Sequence, residues 1–510
     1  MTNNSRALAA APSVRVATPG QTCVPRAAPP AVGLSLVSAQ PVDGRISDLT
    51  FASRAMSGTV HADVMLPASY DPSGATRYPV LYLLHGASGN HTDWVVQGNV
   101  ERIVGSLPVI VVMPDAGSGG WYSDWFAGDP STGTSDAPGW ETFHLRELLP
   151  YIDRHYPTIA ARRGRAIAGL SMGGFGTMSY AARRPGLFAA AGAFSGAVDT
   201  DGAYLPGASG PVLEAGIDSC IWGDPTTNDV VWRDHNPTEL ARNLAHTSLF
   251  LASGNGAPSR TEDYTNTEGQ VIEAVIYQAN LDFNGALNAR GIAHTTDFYG
   301  AGIHDWPYWQ DDLRAFLPRM MAAFAHPPAA PPAVPFSYES ADQRFSAWGW
   351  DVQARRAVTE FVYLSDVDAS GLDVAGSGTL RVDTAPLYAP GTAYSVAETI
   401  TGTAATGTGA GEAEANGAVS VARTPVADAA GRLHFDVDLG PSHTMQQSVF
   451  GPAAEASFPH ARVTIMPVAG AGPGNPTATP EPGSGALYAS GLAALLAGLL
   501  ILRRRRERHT

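Results

Sequence analysis

The chain of 510 residues is too long for one ordinary domain, and 44% apolar against 15% charged residues supports a sizeable buried core. A formal charge of −15, from 32 basic and 47 acidic residues, excludes the basic face that nucleic-acid binding requires. Every basic residue is Arg, which removes lysine-dependent chemistry such as a Walker-A phosphate loop, a Schiff base or a kinase lysine. The two cysteines, Cys23 and Cys220, exclude a zinc-finger or disulfide-dense scaffold and leave the question of one bridge between them open.

Residues 1–44 are rich in Ala, Pro and Val and carry no clear period. Arg6 is followed only by the short stretch Ala7–Val14, broken at Pro12 and closed by Arg15, which makes a poor secretory signal. The segment is read as an N-terminal extension. From 45 to 325, short apolar runs alternate with longer amphipathic stretches. Strands are expected at Val60–Leu66, Val80–Leu84, Val109–Met113, Ala166–Leu170, Ala189–Phe194, Leu249–Ala252 and Thr295–Tyr299. Helices are expected at Trp140–Tyr156, Met172–Arg183, Val271–Arg290 and Tyr308–Phe324. Such alternation predicts an α/β fold, a mostly parallel sheet with helices on both faces.

The Pro-dense stretch 326–335 should be an extended linker, because Pro fixes φ and continues neither a helix nor a central strand. Residues 336–466 then read as β, with alternating or β-branched patterns at Val358–Leu364, Gly378–Val382, His434–Leu439 and Ala461–Ile465, and a small all-β sandwich fits them. A second Gly/Pro/Thr-rich linker covers 467–485. Ala486–Leu502 is uncharged and followed at once by Arg503–Arg506 and Arg508. Seventeen residues lie near the lower limit for a bilayer-spanning helix, and the Arg cluster should stay cytoplasmic with everything before it outside. Residues 486–510 are therefore expected to anchor the chain in the membrane. With Pro480-Glu481-Pro482 ahead, they also resemble the C-terminal sorting signals handled by exosortases.

Gly169-Leu170-Ser171-Met172-Gly173-Gly174 is a G-x-S-x-G run between a buried-strand pattern and a helix of small residues. That context is what a nucleophile elbow needs: a sharp strand-to-helix turn that lifts the serine Oγ clear of the sheet. His85-Gly86-Ala87-Ser88-Gly89 follows the strand Val80–Leu84, where such folds place one oxyanion donor; the donors would be the Ala87 and Met172 N–H groups. The base should follow the last strand. His304 does, whereas His294 precedes it. Position alone favours Glu262 or Asp263 as the acid, with Glu268 and Glu273 also in range.

Over residues 45–325 the chain resembles the putative-esterase branch of the α/β-hydrolases, which includes the antigen 85 type of mycolyltransferase. The likeness rests on Tyr82-Leu83-Leu84, Met113-Pro114, Trp121-Tyr122-Ser123-Asp124-Trp125, Gly169–Gly174 and His304-Asp305-Trp306-Pro307-Tyr308-Trp309. It implies that the acid is Glu273, 31 residues ahead of His304, with Glu262 or Asp263 as fallback. His85-Gly86 stands where mycolyltransferases carry Asp-Gly, a pattern similar to that of the hydrolytic relatives. The segment 336–466 has no counterpart in the catalytic family.

The expected activity is ester hydrolysis through an acyl-enzyme on Ser171, with His304 and Glu273 completing the triad and no metal or cofactor required. Candidate substrate contacts are His85, Trp306 and Trp125. The alternatives are transfer of an acyl chain to a sugar hydroxyl, and an inactive cell-surface binding protein. Expected partners are an ester or acyl-sugar substrate, the membrane through the C-terminal helix, and a cell-wall glycan.

Overall fold

Continuous apolar runs fix the centre of the molecule. In the computed structural model β4 (Val80–Leu84), β5 (Ile110–Pro114), β6 (Arg165–Leu170) and β7 (Ala190–Phe194) are buried at every position, as strands covered on both faces must be. Alternation along them divides two cores. Val80, Tyr82, Leu84, Ile110 and Val112 join the cluster on one face with Phe175, Met178, Ile276 and Phe283. Leu81, Leu83, Val111 and Met113 join the other with Leu313, Phe316 and Met320. Helices Met172–Arg183 and Thr267–Ala289 thus cover one face and helix Trp306–Ala325 the other. The structure describes residues 26–468 except 27, 57, 74, 129–136, 203–216, 218 and 402–418.

The full sheet adds β1 (Leu34–Asp43), β2 (Ile46–Ser53), β3 (Thr59–Met65), β8 (Ser248–Gly254) and β9 (His294–Gly300), in the order β1-β2-β3-β5-β4-β6-β7-β8-β9. Pairs from β5 to β9 are parallel, but β1–β2, β2–β3 and β3–β5 are antiparallel, so the sheet is mixed. The connections β1–β2 and β2–β3 are short turns, which can join only antiparallel neighbours. β1 lies within the segment read from sequence as an extension. It is an edge strand with almost no buried side chain, so it leaves no apolar period to read. Chain order reverses across the β4/β6 pair, and the crevice beyond their C-terminal ends is where open α/β sheets bind ligands.

Residues 336–467 form two antiparallel sheets, of six and four strands. Both contribute to one apolar cluster, Tyr338, Leu364, Leu372, Val396 and Val463 from the first and Phe345, Val352, Leu380 and Phe435 from the second. This region packs directly on the nine-stranded unit. Phe361, Tyr363, Ala375 and Phe458 belong to the same apolar cluster as the helix 172–183, and Asn243 exchanges two hydrogen bonds with the Glu339 backbone, at 2.8 and 2.9 Å. Buried Arg183, the last residue of that helix, pairs with Glu141 (3.1 Å), Asp234 (2.7 Å) and Asp342 (3.1 Å). The 326–335 segment is likewise held, its Pro328 and Ala329 carbonyls accepting from Arg162 and His246.

Among the described residues no helix is long and apolar enough to cross a membrane. The expected anchor, 486–510, and the linker 469–485 lie outside the described residues. Cys220 is buried and disulfide-bonded; Cys23 also lies outside them.

Candidate active site

Ser171 turns β6 into the 172–183 helix with φ +53° and ψ −119°, a conformation that costs a non-glycine residue free energy and is kept where surroundings enforce it. Those surroundings are close backbone approaches. A Cβ on Gly169 would lie 2.5 Å from the Gly173 carbonyl oxygen, and one on Gly173 would lie 2.5 Å from that of His85. A Cβ on Gly86 would fall 3.3 Å from Ser171 Cβ. The elbow and the loop after β4 therefore lie against each other. Neither the Ala87 nor the Met172 N–H donates to a backbone carbonyl among the described residues. Ser88, Trp121, Tyr122 and Ser195, on the neighbouring loops, also have positive φ.

Glu273 is wholly buried on the 267–289 helix, and its two oxygens have different partners. Oε1 accepts from Ser195 Oγ (2.8 Å), Ser253 Oγ (2.9 Å) and the Gly254 N–H (2.8 Å), groups at the ends of β7 and β8. Oε2 accepts from His304 Nδ1 at 2.7 Å. Three donors fix the carboxylate, and the free oxygen orients the imidazole with Nε2 outward. The His304 backbone is tied to the same helix by its N–H to the Gly269 carbonyl (3.0 Å), and Trp309 stands edge-on to its ring at 4.9 Å. Buried Asp312, near Glu273, is held well above the usual carboxylate range by burial first and by the Glu273 charge second. Ser171 Oγ makes no hydrogen bond among the described residues, and catalytic serine–histidine bonds often tighten only when substrate binds.

The other sequence candidates lie elsewhere. His294, at the start of β9, is held by Ile292 and Asn284. Asp263 accepts from the Ser259 and Arg260 N–H groups (2.8 Å each) and from Tyr308, and Glu262 is exposed. His85 is 1% exposed; Nδ1 donates to the Gly86 carbonyl (2.7 Å) and Nε2 accepts from the Ala116 N–H (2.9 Å). It braces the loop after β4 from inside rather than presenting a ring to substrate. Trp125 is nearly buried with Nε1 on the Gly120 carbonyl, and Trp306 packs between Trp94 and Trp309 at 5.3 Å from each. Sequence reasoning did not find Ser195 and Ser253. A serine just past a buried strand is the only signal they leave, and it is a common one.

Residues 53–320, just over half of the chain, match the putative esterase family, and the chain belongs to it. Its catalytic unit has the α/β-hydrolase-like esterase fold with a mixed sheet. Esterase Rv1288 of Mycobacterium tuberculosis (strain H37Rv) is 33% identical over 299 residues, 57% of this chain and 63% of that protein, so the chain spans less than two thirds of this relative. The diacylglycerol acyltransferase/mycolyltransferase Ag85B of Mycobacterium leprae is 31% identical over 257 residues, 48% of this chain and 76% of that protein. A solved ferulic acid esterase is 25% identical, covering 55% of this chain and 98% of its own, with a TM-score of 0.42.

Proposed function

We propose that this chain is a serine esterase that cleaves carboxylic esters through an acyl-enzyme on Ser171. The observation that carries the reading is the buried Glu273 carboxylate, fixed by three donors and aligned on His304 Nδ1 at 2.7 Å. In the first step Ser171 Oγ attacks the ester carbonyl while His304 Nε2 takes its proton; the imidazolium is stabilised by Glu273. The Ala87 and Met172 N–H groups receive the tetrahedral oxyanion, each such donor contributing about 2.7–4 kcal/mol. His304 returns the proton to the departing alcohol. Water, activated by the same imidazole, then releases the acid. A fluorophosphonate probe should label the protein at Ser171, and labelling should vanish in Ser171→Ala; an unlabelled wild-type protein would leave only the binding-protein alternative.

The likeness to Ag85B supports a second reading, in which a sugar hydroxyl replaces water in the last step. The same residues serve both outcomes. His85, standing where mycolyltransferases carry an acid, favours hydrolysis. Release of p-nitrophenol from p-nitrophenyl esters, measured with and without trehalose, separates them: acyl-trehalose as main product would overturn the hydrolase reading.

The bonded Cys220 supports an oxidising compartment, in keeping with a chain exposed on the cell surface and held by its apolar C-terminal segment. Cell fractionation of the full chain against one ending before residue 486 tests this; equal release into the medium would reject it. We read 336–467 as a β-sandwich docked on the catalytic unit.

A further inference from the structure

Far from the Ser171 chemistry in sequence, β2 and β3 carry polar residues on a face that is otherwise apolar. Thr50 opposes His61 and Asp48 opposes Asp63 in the β2–β3 register, so all four side chains project from one side of the sheet, the side on which Ile46 and Met65 join the apolar cluster with Met113. His91 reaches the same place from the loop after β4. His61 Nδ1 lies 3.0 Å from Asp48 Oδ1 and His91 Nε2 3.6 Å from the same oxygen, with the two imidazoles stacked at 4.8 Å. One ligand atom from each of the three residues falls within 4.8 Å of the others.

Hydrogen bonding inside the protein leaves this cluster incomplete. Asp63 is wholly buried, and neither of its oxygens has a partner among the described residues. His91 Nδ1 is buried without a partner as well. Buried carboxylates and imidazole nitrogens are nearly always satisfied, because leaving them bare costs free energy. A cation held at Asp48, directly opposite Asp63 in the register, lowers that cost for the Asp63 carboxylate through its charge. The spacing suits one: ligand bonds of about 2.0–2.1 Å in a tetrahedral zinc site put ligand atoms about 3.3 Å apart, and the two measured separations bracket that value. The three side chains are 26%, 32% and 15% exposed, so an ion can reach them.

We infer that Asp48, His61 and His91 form a binding site for a divalent transition-metal ion of the zinc type, with Asp63, opposite Asp48 in the register, as a neighbouring carboxylate whose charge favours the ion. Two imidazoles and one carboxylate, with a fourth position open to water, are a ligand set that zinc accepts. The ion would fasten the loop carrying Ala87 and His91 to the second and third strands. This inference rests on the strand register and the unpartnered groups and is independent of the catalytic reading.

Chelator-treated full-length protein titrated with Zn2+ by calorimetry should bind one equivalent and melt at a higher temperature. Co2+ in its place should give the visible absorption of a tetrahedral nitrogen/oxygen site. His61→Ala and His91→Ala should abolish both signals, Asp63→Asn should weaken affinity by removing a neighbouring negative charge, and His246→Ala, at a histidine outside the cluster, should bind as wild type. No bound equivalent in the wild type, or His61→Ala and His91→Ala binding like His246→Ala, would overturn the site. Circular dichroism of each variant verifies folding. Should the alanine variants unfold, the wild-type Co2+ spectrum decides by itself, since a spectrum lacking tetrahedral imidazole ligation rejects the proposal.

Discussion

Two carboxylates on opposite sides of one sheet are both wholly buried, and the protein treats them differently. Glu273 receives three hydrogen bonds on one oxygen and an imidazole on the other. Asp63 receives none among the described residues. Burial alone therefore says little about a charge. What matters is whether the fold brings donors to it, and the ends of β7 and β8 do so for Glu273 while the β2–β3 ladder, whose backbone groups are spent on pairing, does not for Asp63.

Removing the groups that act in the reaction should have the largest effect. Ser171→Ala should lower turnover of p-nitrophenyl esters by about 10⁶-fold and Glu273→Gln by about 10⁴-fold; a Glu273→Gln enzyme with wild-type kcat would place Glu273 in the same structural class as Asp63. The next effect moves two buried acids toward the state of Asp63 by design. Arg183→Met removes one buried partner from Glu141 and from Asp234, leaving Glu141 its pair with Arg184 (2.8 Å) and Asp234 the Ala341 N–H (2.7 Å), and should cost about 3–5 kcal/mol in urea unfolding. Unchanged stability would mean that the remaining partners of those acids suffice.

A third buried group gives the comparison a pH axis. Burial pushes His144 down to about 4 from 6.5, its Nε2 donating to the Asp115 carbonyl and its Nδ1 accepting from Tyr180. Between those values the unfolded chain binds a proton that the folded chain refuses, so this stabilisation is complete above pH 6.5 and is lost as pH falls toward 4. It amounts to on the order of 3 kcal/mol. Melting temperatures across that window should fall less steeply in His144→Gln than in the wild type, and parallel slopes would contradict the assignment.

The smallest expected effects separate the two carboxylates by sign. Ser195→Ala removes one donor to the Glu273 carboxylate and should destabilise by about 1.5–3 kcal/mol. Asp63→Asn in chelator removes a carboxyl that burial pushes up to about 7, so the variant should gain stability relative to wild type as pH rises from 3.8 toward 7. Destabilisation by Asp63→Asn would mean that the carboxylate has a partner after all.

Strands β4, β6 and β7 were legible because consecutive apolar residues buried on both faces are a local signal, and the elbow because a serine between glycines after such a run has few other uses. Edge strand β1 was not, since an exposed strand has no apolar face to mark it. Position favoured Glu262 or Asp263 over Glu273, and only resemblance reversed that order. In the fold Asp263 caps its own loop while Glu273 turns inward. His85 stood at a position suggestive of substrate contact, yet both its nitrogens serve the backbone around it.

The order of residues by itself determined the elements and the chemistry available: runs of buried strand, a serine on a tight turn, a histidine after the last strand, and no lysine. Tertiary structure alone decided which acid faces that histidine, which serines hold that acid, and that Asp48, His61 and His91 share one place. Local sequence governs backbone torsion and burial over a few residues, whereas these groupings depend on how strands far apart in the chain align, which no local pattern records.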